Sequence, residues 1–303
     1  MSVVEVRNVV KRFGELTASD NMSFDVGKDR IFGLIGPNGA GKTTMIRMIT
    51  NVLIPDEGNI SIFGNKISYA LQNTIGYLPE ERGLYKKLKV IDQLAYFGQL
   101  KGMTRRDAMS EAREWLAKLD AADWTNKKIE ELSKGMQQKV QFISTILHKP
   151  KLLILDEPFS GFDPINTELL KSIILDLKEQ GTSIILSTHI MEQAEQMCDD
   201  ICLINKGKIV LSGSIRDIKS KFAKDTVILE FDGDDGFLNE LTGLKIINKT
   251  RNRIEFRFNP HELDAKTILT TLLKYCEVYK FEIKEPSLHE IFIDVVSGTE
   301  EQK

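Results

Sequence analysis

The chain has 303 residues, of which 42% are hydrophobic and 28% charged, enough apolar material for packed globular cores and a length that suggests two domains. A net charge of −3 gives no electrostatic case for nucleic acid as a partner. No apolar run is long enough to cross a membrane and none follows Met1, while Cys198, Cys202 and Cys276 are too few for a disulfide framework; the expectation is a protein that neither spans a membrane nor is secreted, with buried thiols in a reducing cytosol.

In chain order, residues 1–30 alternate as strands do, in Val4-Glu5-Val6-Arg7 and in Met22-Ser23-Phe24-Asp25-Val26. Asn59-Ile60-Ser61-Ile62-Phe63 repeats the pattern, so a small antiparallel layer is expected. Between these segments, the apolar run Ile31-Phe32-Gly33-Leu34-Ile35 reads as a buried strand, and Thr44-Met45-Ile46-Arg47-Met48-Ile49 has the spacing of a helix. From Val90 to Asp120 the period is helical, with Leu94, Phe97 and Leu100 forming one apolar stripe. Ala108, Ala112, Trp115, Leu116 and Leu119 form a second, in which Trp115 is core packing. Lys151-Leu152-Leu153-Ile154-Leu155 is another buried strand, ending in Asp156 and Glu157. A helix near 165–180 stops at Gly181, the strand Ser183-Ile184-Ile185-Leu186 follows, and a hairpin turns at Lys206-Gly207. Helices alternating with strands imply a mainly parallel α/β sheet.

The charged stretch 219–225 reads as a boundary. Beyond it the order is strand (Thr226 to Phe231), short helix (Phe237 to Leu241), two strands (Lys245 to Asn248, Arg253 to Phe258), helix (Leu263 to Tyr275) and strand (Val278 to Ile283). That β-α-β-β-α-β sequence predicts a small ferredoxin-like α+β domain.

The segment between the first buried strand and its helix is Gly36-Pro37-Asn38-Gly39-Ala40-Gly41-Lys42-Thr43, a full match to G-x-x-x-x-G-K-[ST]. In that context the glycines let several backbone N–H groups converge, and the helix aims its positive end at the same point, making a nest for phosphate oxygens. Asn38, Gly39, Ala40, Gly41, Lys42, Thr43 and Thr44 are the candidate nucleotide contacts, with Lys42 reaching the β- and γ-phosphates and the Thr43 hydroxyl a ligand to Mg²⁺. Asp156 at the end of the later strand would hold Mg²⁺, and Glu157 beside it would deprotonate the attacking water.

Leu132-Ser133-Lys134-Gly135-Met136, upstream of that strand, resembles the Leu-Ser-Gly-Gly-Gln signature of the ATP-binding cassette (ABC) family, with Lys134 and Met136 departing from it. Ser133 and Gly135 keep the hydroxyl donor and the close backbone approach. Other positions resemble the family one by one. Phe13 stands where the family stacks an aromatic ring on adenine, the reading favoured over a buried strand residue. Ser160-Gly161-Phe162-Asp163-Pro164 is similar to the D-loop, with Asp163 facing the dimer, and His189 after Leu186-Ser187-Thr188 is similar to the switch histidine that contacts the γ-phosphate. Where the family has a glutamine near Mg²⁺ and the transmembrane partner, this chain has Glu80, after Gly76-Tyr77-Leu78-Pro79 and before Glu81-Arg82-Gly83. Either Mg²⁺ and coupling are tuned differently here, or Glu80 is displaced from the metal. Lys86-Lys87-Leu88-Lys89 is either a contact to a membrane partner or a solvated face.

The resemblance covers roughly residues 1–218. It implies a P-loop NTPase core with an antiparallel β subdomain and a helical subdomain over about 85–140, followed by an accessory domain over 225–297 similar to that of bacterial drug, peptide or sodium exporters. It further implies an ATPase with catalytic Lys42, Glu157 and His189, with Thr43, Asp156 and Glu80 at Mg²⁺. Two copies, or this chain and a second ABC subunit, would sandwich ATP head to tail, and the dimer would power a separate transmembrane permease from the cytoplasmic face of the cell membrane. The rival functions are a soluble ABC ATPase that remodels ribosomes or DNA, and a nucleotide-gated binding module without turnover. A single cassette with a short helical subdomain disfavours the first, and Glu157 with His189 disfavours the second.

Overall fold

The structure is a computed structural model that describes residues 2–66, 68–81, 83–222, 226–241, 243–259 and 263–300. Arg82 and residues 223–225, part of the expected boundary, lie outside the described residues. Two compact units divide the chain, Met1–Ile215 and Arg216–Lys303.

The first unit begins with two long strands, β1 (Ser2–Phe13) and β2 (Leu16–Gly27), then β3 (Ile31–Ile35), α1 (Lys42–Ile49), β4 (Glu57–Ile62), β5 (Asn65–Lys66), α2 (Tyr69–Gln72) and β6 (Ile75–Leu78). Three helices follow, α3 (Val90–Leu100), α4 (Arg105–Lys118) and α5 (Lys134–Ile146). The unit continues through β7 (Leu152–Asp156), α6 (Pro164–Glu179), β8 (Ser183–Thr188), α7 (Met191–Met197), β9 (Asp200–Asn205) and β10 (Lys208–Ser214); α8 (Ile215–Phe222) comes next.

The antiparallel sheet has the order β2-β1-β4-β5 and the central sheet β10-β9-β3-β8-β7-β6. In the latter, β3, β6, β7, β8 and β9 run parallel and only β10 pairs antiparallel, with β9. Every residue of β3, β7 and β8 is buried, as expected of a parallel sheet covered on both faces. The two faces serve two cores by strict alternation. Phe32, Leu34, Leu152, Ile154 and Ile185 pack with α1 and the antiparallel sheet. Ile31, Leu153, Leu155, Ile184 and Leu186 pack with helices α3 to α6.

The strands expected within residues 1–30 are present, each 12 residues long, with register shifts along β1 where strict alternation breaks. One expectation needs correction. The buried stripe of α3 is Val90, Ile91, Leu94, Ala95 and Gly98, whereas Leu100 is 57% exposed. An i, i+3 run alone drifts around a helix, and the face that packs against α4 is set by the i, i+4 partners. The stripe of α4 is as expected: Ala108, Ala112 and Leu116 are buried, and Trp115 is a partly buried packing residue. Cys198 and Cys202 are free thiols whose pKa is pushed up by burial, Cys202 to about 12, which disfavours the thiolate.

The second unit contains β11 (Thr226–Gly233), α9 (Phe237–Glu240), β12 (Lys245–Lys249), β13 (Arg253–Arg257), α10 (Ala265–Tyr275), β14 (Cys276–Lys284) and α11 (Leu288–Glu300). Its sheet has the order β12-β13-β11-β14 with every pair antiparallel, the ferredoxin-like arrangement expected from the β-α-β-β-α-β pattern. Val227, Leu229, Phe231, Ile254, Phe256, Ile268 and Leu272 give it a core of its own.

Candidate active site

The buried strand β3 delivers the chain into the loop 36–41, whose closure only glycine permits at two positions. Gly36 (φ +151°) would place a Cβ 2.1 Å from the Ile204 carbonyl oxygen, and Gly41 (φ +109°) one 2.3 Å from that of Ala18. The loop is held from outside by the β9–β10 turn: Gly207 N–H donates to Ala40 O at 3.0 Å, and Gly207 O accepts from Asp20 N–H at 2.8 Å. Beside the start of α1 lies a cavity of 680 Å³. Asn38, Gly39, Ala40, Gly41, Lys42, Thr43 and Thr44 line it, so the whole phosphate nest faces one space. Phe13 lines its rim, 47% exposed, with Lys11 Nζ 5.6 Å from the ring centroid. That exposure removes the buried-strand alternative for Phe13.

Glu80, Glu157 and His189 line the same cavity. Glu157 adopts the left-handed backbone (φ +49°), where its N–H donates to Ser187 O at 3.0 Å, so the turn after β7 is pinned to β8. Its Oε1 lies 2.9 Å from His189 Nδ1 and 3.7 Å from Lys42 Nζ. His189 is set by the turn after β8, in which Thr188 Oγ1 accepts from Ile190 N–H at 3.1 Å and donates to Gln193 Oε1 at 3.0 Å. Lys42 Nζ also donates to the carbonyls of Gly36 at 2.8 Å and Pro37 at 3.2 Å. Burial lowers the pKa of Lys42, opposed by the charges of Glu157, Asp156 and Glu80.

Asp156 is 1% exposed, and neither carboxylate oxygen has a hydrogen-bond partner among the described residues. Burial pushes its pKa up; the hydroxyls of Ser187 and Thr43 oppose that without meeting hydrogen-bond geometry. A buried carboxylate left this way is costly unless a cation completes it. The residues therefore fit a divalent ion held between Asp156, Thr43 and a nucleotide. No cluster of three or more His, Cys, Asp or Glu among the described residues could hold a metal on its own. Mg²⁺ usually takes one or two carboxylates and completes its shell with phosphate and water.

Ser133, Gly135 and Asp163 are not brought to this cavity. Ser133 caps α5, its exposed Oγ accepting from Met136 N–H at 3.3 Å, and Gly135 sits in the first turn of the same helix. Asp163 caps α6 through Asn166 N–H at 2.9 Å. Six lining residues were not among the sequence-derived site candidates: Leu16, Thr17 and Ala18 on β2 also face the cavity. So do Ser160, Lys206 and Gly207, the last two from a hairpin turn that nothing in its own sequence marks as part of a site.

The sequence pattern of the ABC transporter family matches residues 19–160, from β2 through the nest to Ser160. The uncharacterized ABC transporter ATP-binding protein YhaQ of Bacillus subtilis (strain 168) is 46% identical over 299 residues, 99% of this chain and 100% of that one. The chain belongs to the ABC transporter ATP-binding proteins. It is the ATP-binding subunit of an ABC transporter, and its reaction is ATP hydrolysis. Residues 213–296 match the C-terminal domain of DrrA1-3-like ATP-binding proteins. The linearmycin resistance ATP-binding protein LnrL of Bacillus subtilis (strain 168) is 31% identical over 98% of this chain and 99% of its own length. Among solved structures, an ATP-binding subunit of an ABC transporter superposes with a TM-score of 0.69 at 29% identity, over 73% of this chain and 93% of that one.

Proposed function

We propose that two copies of this cassette, or one copy with a second ABC subunit, close head to tail around ATP and Mg²⁺ and drive a separate membrane permease, in the direction of export. The observation that carries this reading is the separation of Ser133 and Gly135 from the cavity that Lys42, Thr43 and Glu157 line. A helix N-terminus with an exposed hydroxyl is a good γ-phosphate ligand, and in the proposed dimer the second copy would present it. Lys42 and the loop N–H groups bind the phosphates, and Phe13 stacks on the base. Thr43 and Asp156 would hold Mg²⁺, with Glu80 beside them; when bound, the ion neutralises charge on the β- and γ-phosphates. Glu157 accepts the proton of a water whose oxygen bonds to the γ-phosphorus as the bond to the bridging oxygen breaks, releasing ADP and phosphate. His189 orients Glu157 and meets the γ-phosphate.

Support for a membrane partner is the exposed aromatic group Tyr85 and Tyr96, with ring centroids 5.9 Å apart, beside exposed Leu88 on the helical side of the unit. No described helix is long and apolar enough to cross a membrane. The direction of transport rests on likeness to relatives named for drug resistance.

The test mixes two inactive variants. Lys42→Ala lowers ATP affinity itself, whereas Ser133→Ala leaves monomer affinity intact and weakens ATP-driven dimerisation. A mixed dimer then contains one site free of both lesions and regains part of the activity. No mixed dimers and no regained turnover would sink the composite site.

A further inference from the structure

The carboxylates around the phosphate nest are not equivalent. Glu157 is shared between His189 at 2.9 Å and Lys42 at 3.7 Å. Asp156 is buried and has no partner. Glu80 sits at the exposed rim, making no hydrogen bond or ion pair among the described residues. It lines the nucleotide cavity together with Lys42 and Thr43, and also a smaller adjoining cavity of 350 Å³ that Asp156 and Glu157 line. Its charge acts on Lys42 and on Asp156. An uncharged residue there would leave a nest with one fewer negative group facing the triphosphate.

We infer that Glu80 makes nucleotide binding conditional on a divalent cation, by placing an unpaired negative charge where the triphosphate must lie. This rests on the nucleotide reading of the cavity and assigns Glu80 a specificity role within it. Free ATP brings about four negative charges towards Glu80, and no cation among the described residues of the site forms an ion pair with that carboxylate. ATP complexed with Mg²⁺ brings two fewer net negative charges and a cation for which Glu80 is an attractive neighbour. The same side chain thus opposes one form of the nucleotide and favours the other. Unit charges several ångströms apart at the effective dielectric of a protein surface change an equilibrium by roughly tenfold or more. Glu81, the next residue, lines only the smaller cavity, and its contact with α5 is through its backbone, Gln141 Nε2 donating to Glu81 O at 3.0 Å. It serves as the control.

The experiment titrates the full chain with a non-hydrolysable ATP analogue, once in Mg²⁺ and once in EDTA, and compares the two Kd values. In Glu80→Gln and in Glu80→Ala the ratio of EDTA to Mg²⁺ Kd falls about tenfold, mostly by tighter binding in EDTA. Glu81→Gln keeps the wild-type ratio. Equal shifts in the Gln and Ala variants assign the effect to charge, not to a hydrogen bond. Tight binding with an unchanged ratio in both Glu80 variants would overturn the inference while leaving the nucleotide site standing. Wild-type protein that binds the analogue under neither condition would overturn the nucleotide site and the inference together.

Discussion

His189 Nδ1 and Lys42 Nζ converge on one oxygen, Glu157 Oε1, at 2.9 Å and 3.7 Å. The proposed proton acceptor is therefore tethered to both the histidine and the phosphate-binding lysine. Glu157→Gln is close to isosteric, so the nest survives, but an amide cannot take the water proton. ATP binding should persist while turnover falls about 10²–10⁴-fold, and ATP should trap a stable dimer. Steady-state hydrolysis near the wild-type rate would remove Glu157 from the proton-acceptor role.

Phe13 should act on the base without reading it. Its ring is 47% exposed at the cavity rim, and a stacking face serves any base. Phe13→Ala is expected to weaken ATP and GTP by similar factors, corresponding to about 1–3 kcal/mol. Equilibrium titrations with both nucleotides decide the matter; unchanged affinity for both would leave Phe13 without a ligand role.

His148 should give the fold an acid-sensitive slope. Its Nε2 donates to Ile75 O at 3.2 Å, and its buried Nδ1 has no partner. Lys101 Nζ, beside it, donates to the same carbonyl at 3.0 Å and to Gln72 O at 2.7 Å. Burial, then the charge of Lys101, lowers the pKa of His148 from 6.5 to about 4, while the bond to Ile75 opposes the shift. The folded state thus holds the imidazole neutral, and below pH 6.5 the unfolded chain binds the extra proton. The contribution is complete above pH 6.5 and is lost as pH falls towards about 4, amounting to roughly 3 kcal/mol at most. Denaturant midpoints from pH 7 to pH 4 should fall more steeply in the wild type than in His148→Gln, which keeps a donor for Ile75. Parallel slopes would mean that His148 is protonated in the folded state.

Much of this architecture is legible in the residues because its signals are local. Gly36 to Thr43 carry their own loop geometry, and the unbroken apolar run Leu152 to Leu155 dictates a strand buried on both faces. Features that depend on distant segments are not. Glu157 is legible as the candidate proton acceptor, but its left-handed backbone is not, because that follows from the bond to Ser187 O on a neighbouring strand. Lys206-Gly207 reads only as a turn, yet tertiary hydrogen bonds to Ala40 and Asp20 carry it to the nest. Leu100 fits a helical stripe and still faces solvent, because the packing partner of α3 selects a different face. Ser133 and Asp163 have clear local roles as helix caps, and one chain alone gives neither a nucleotide to touch.

A chain of residues 1–221 should fold and hydrolyse ATP. Every residue proposed to meet nucleotide lies between Phe13 and His189, and β9 with β10 already completes the central sheet. Among the described residues, the two large cores of the first unit draw on none beyond Ile209. The second unit has a core of its own from Val227 to Phe281. The C-terminal unit should then modulate dimer geometry or regulation instead of supplying chemistry. The measurement is basal ATPase of purified residues 1–221 beside the full chain, with the melting transition as a check on folding. Turnover within about tenfold of the full chain is expected, since each tenfold step is only about 1.4 kcal/mol of barrier. An insoluble product, or a cooperatively folded one without turnover, would show that residues beyond 221 are integral to the fold or to catalysis.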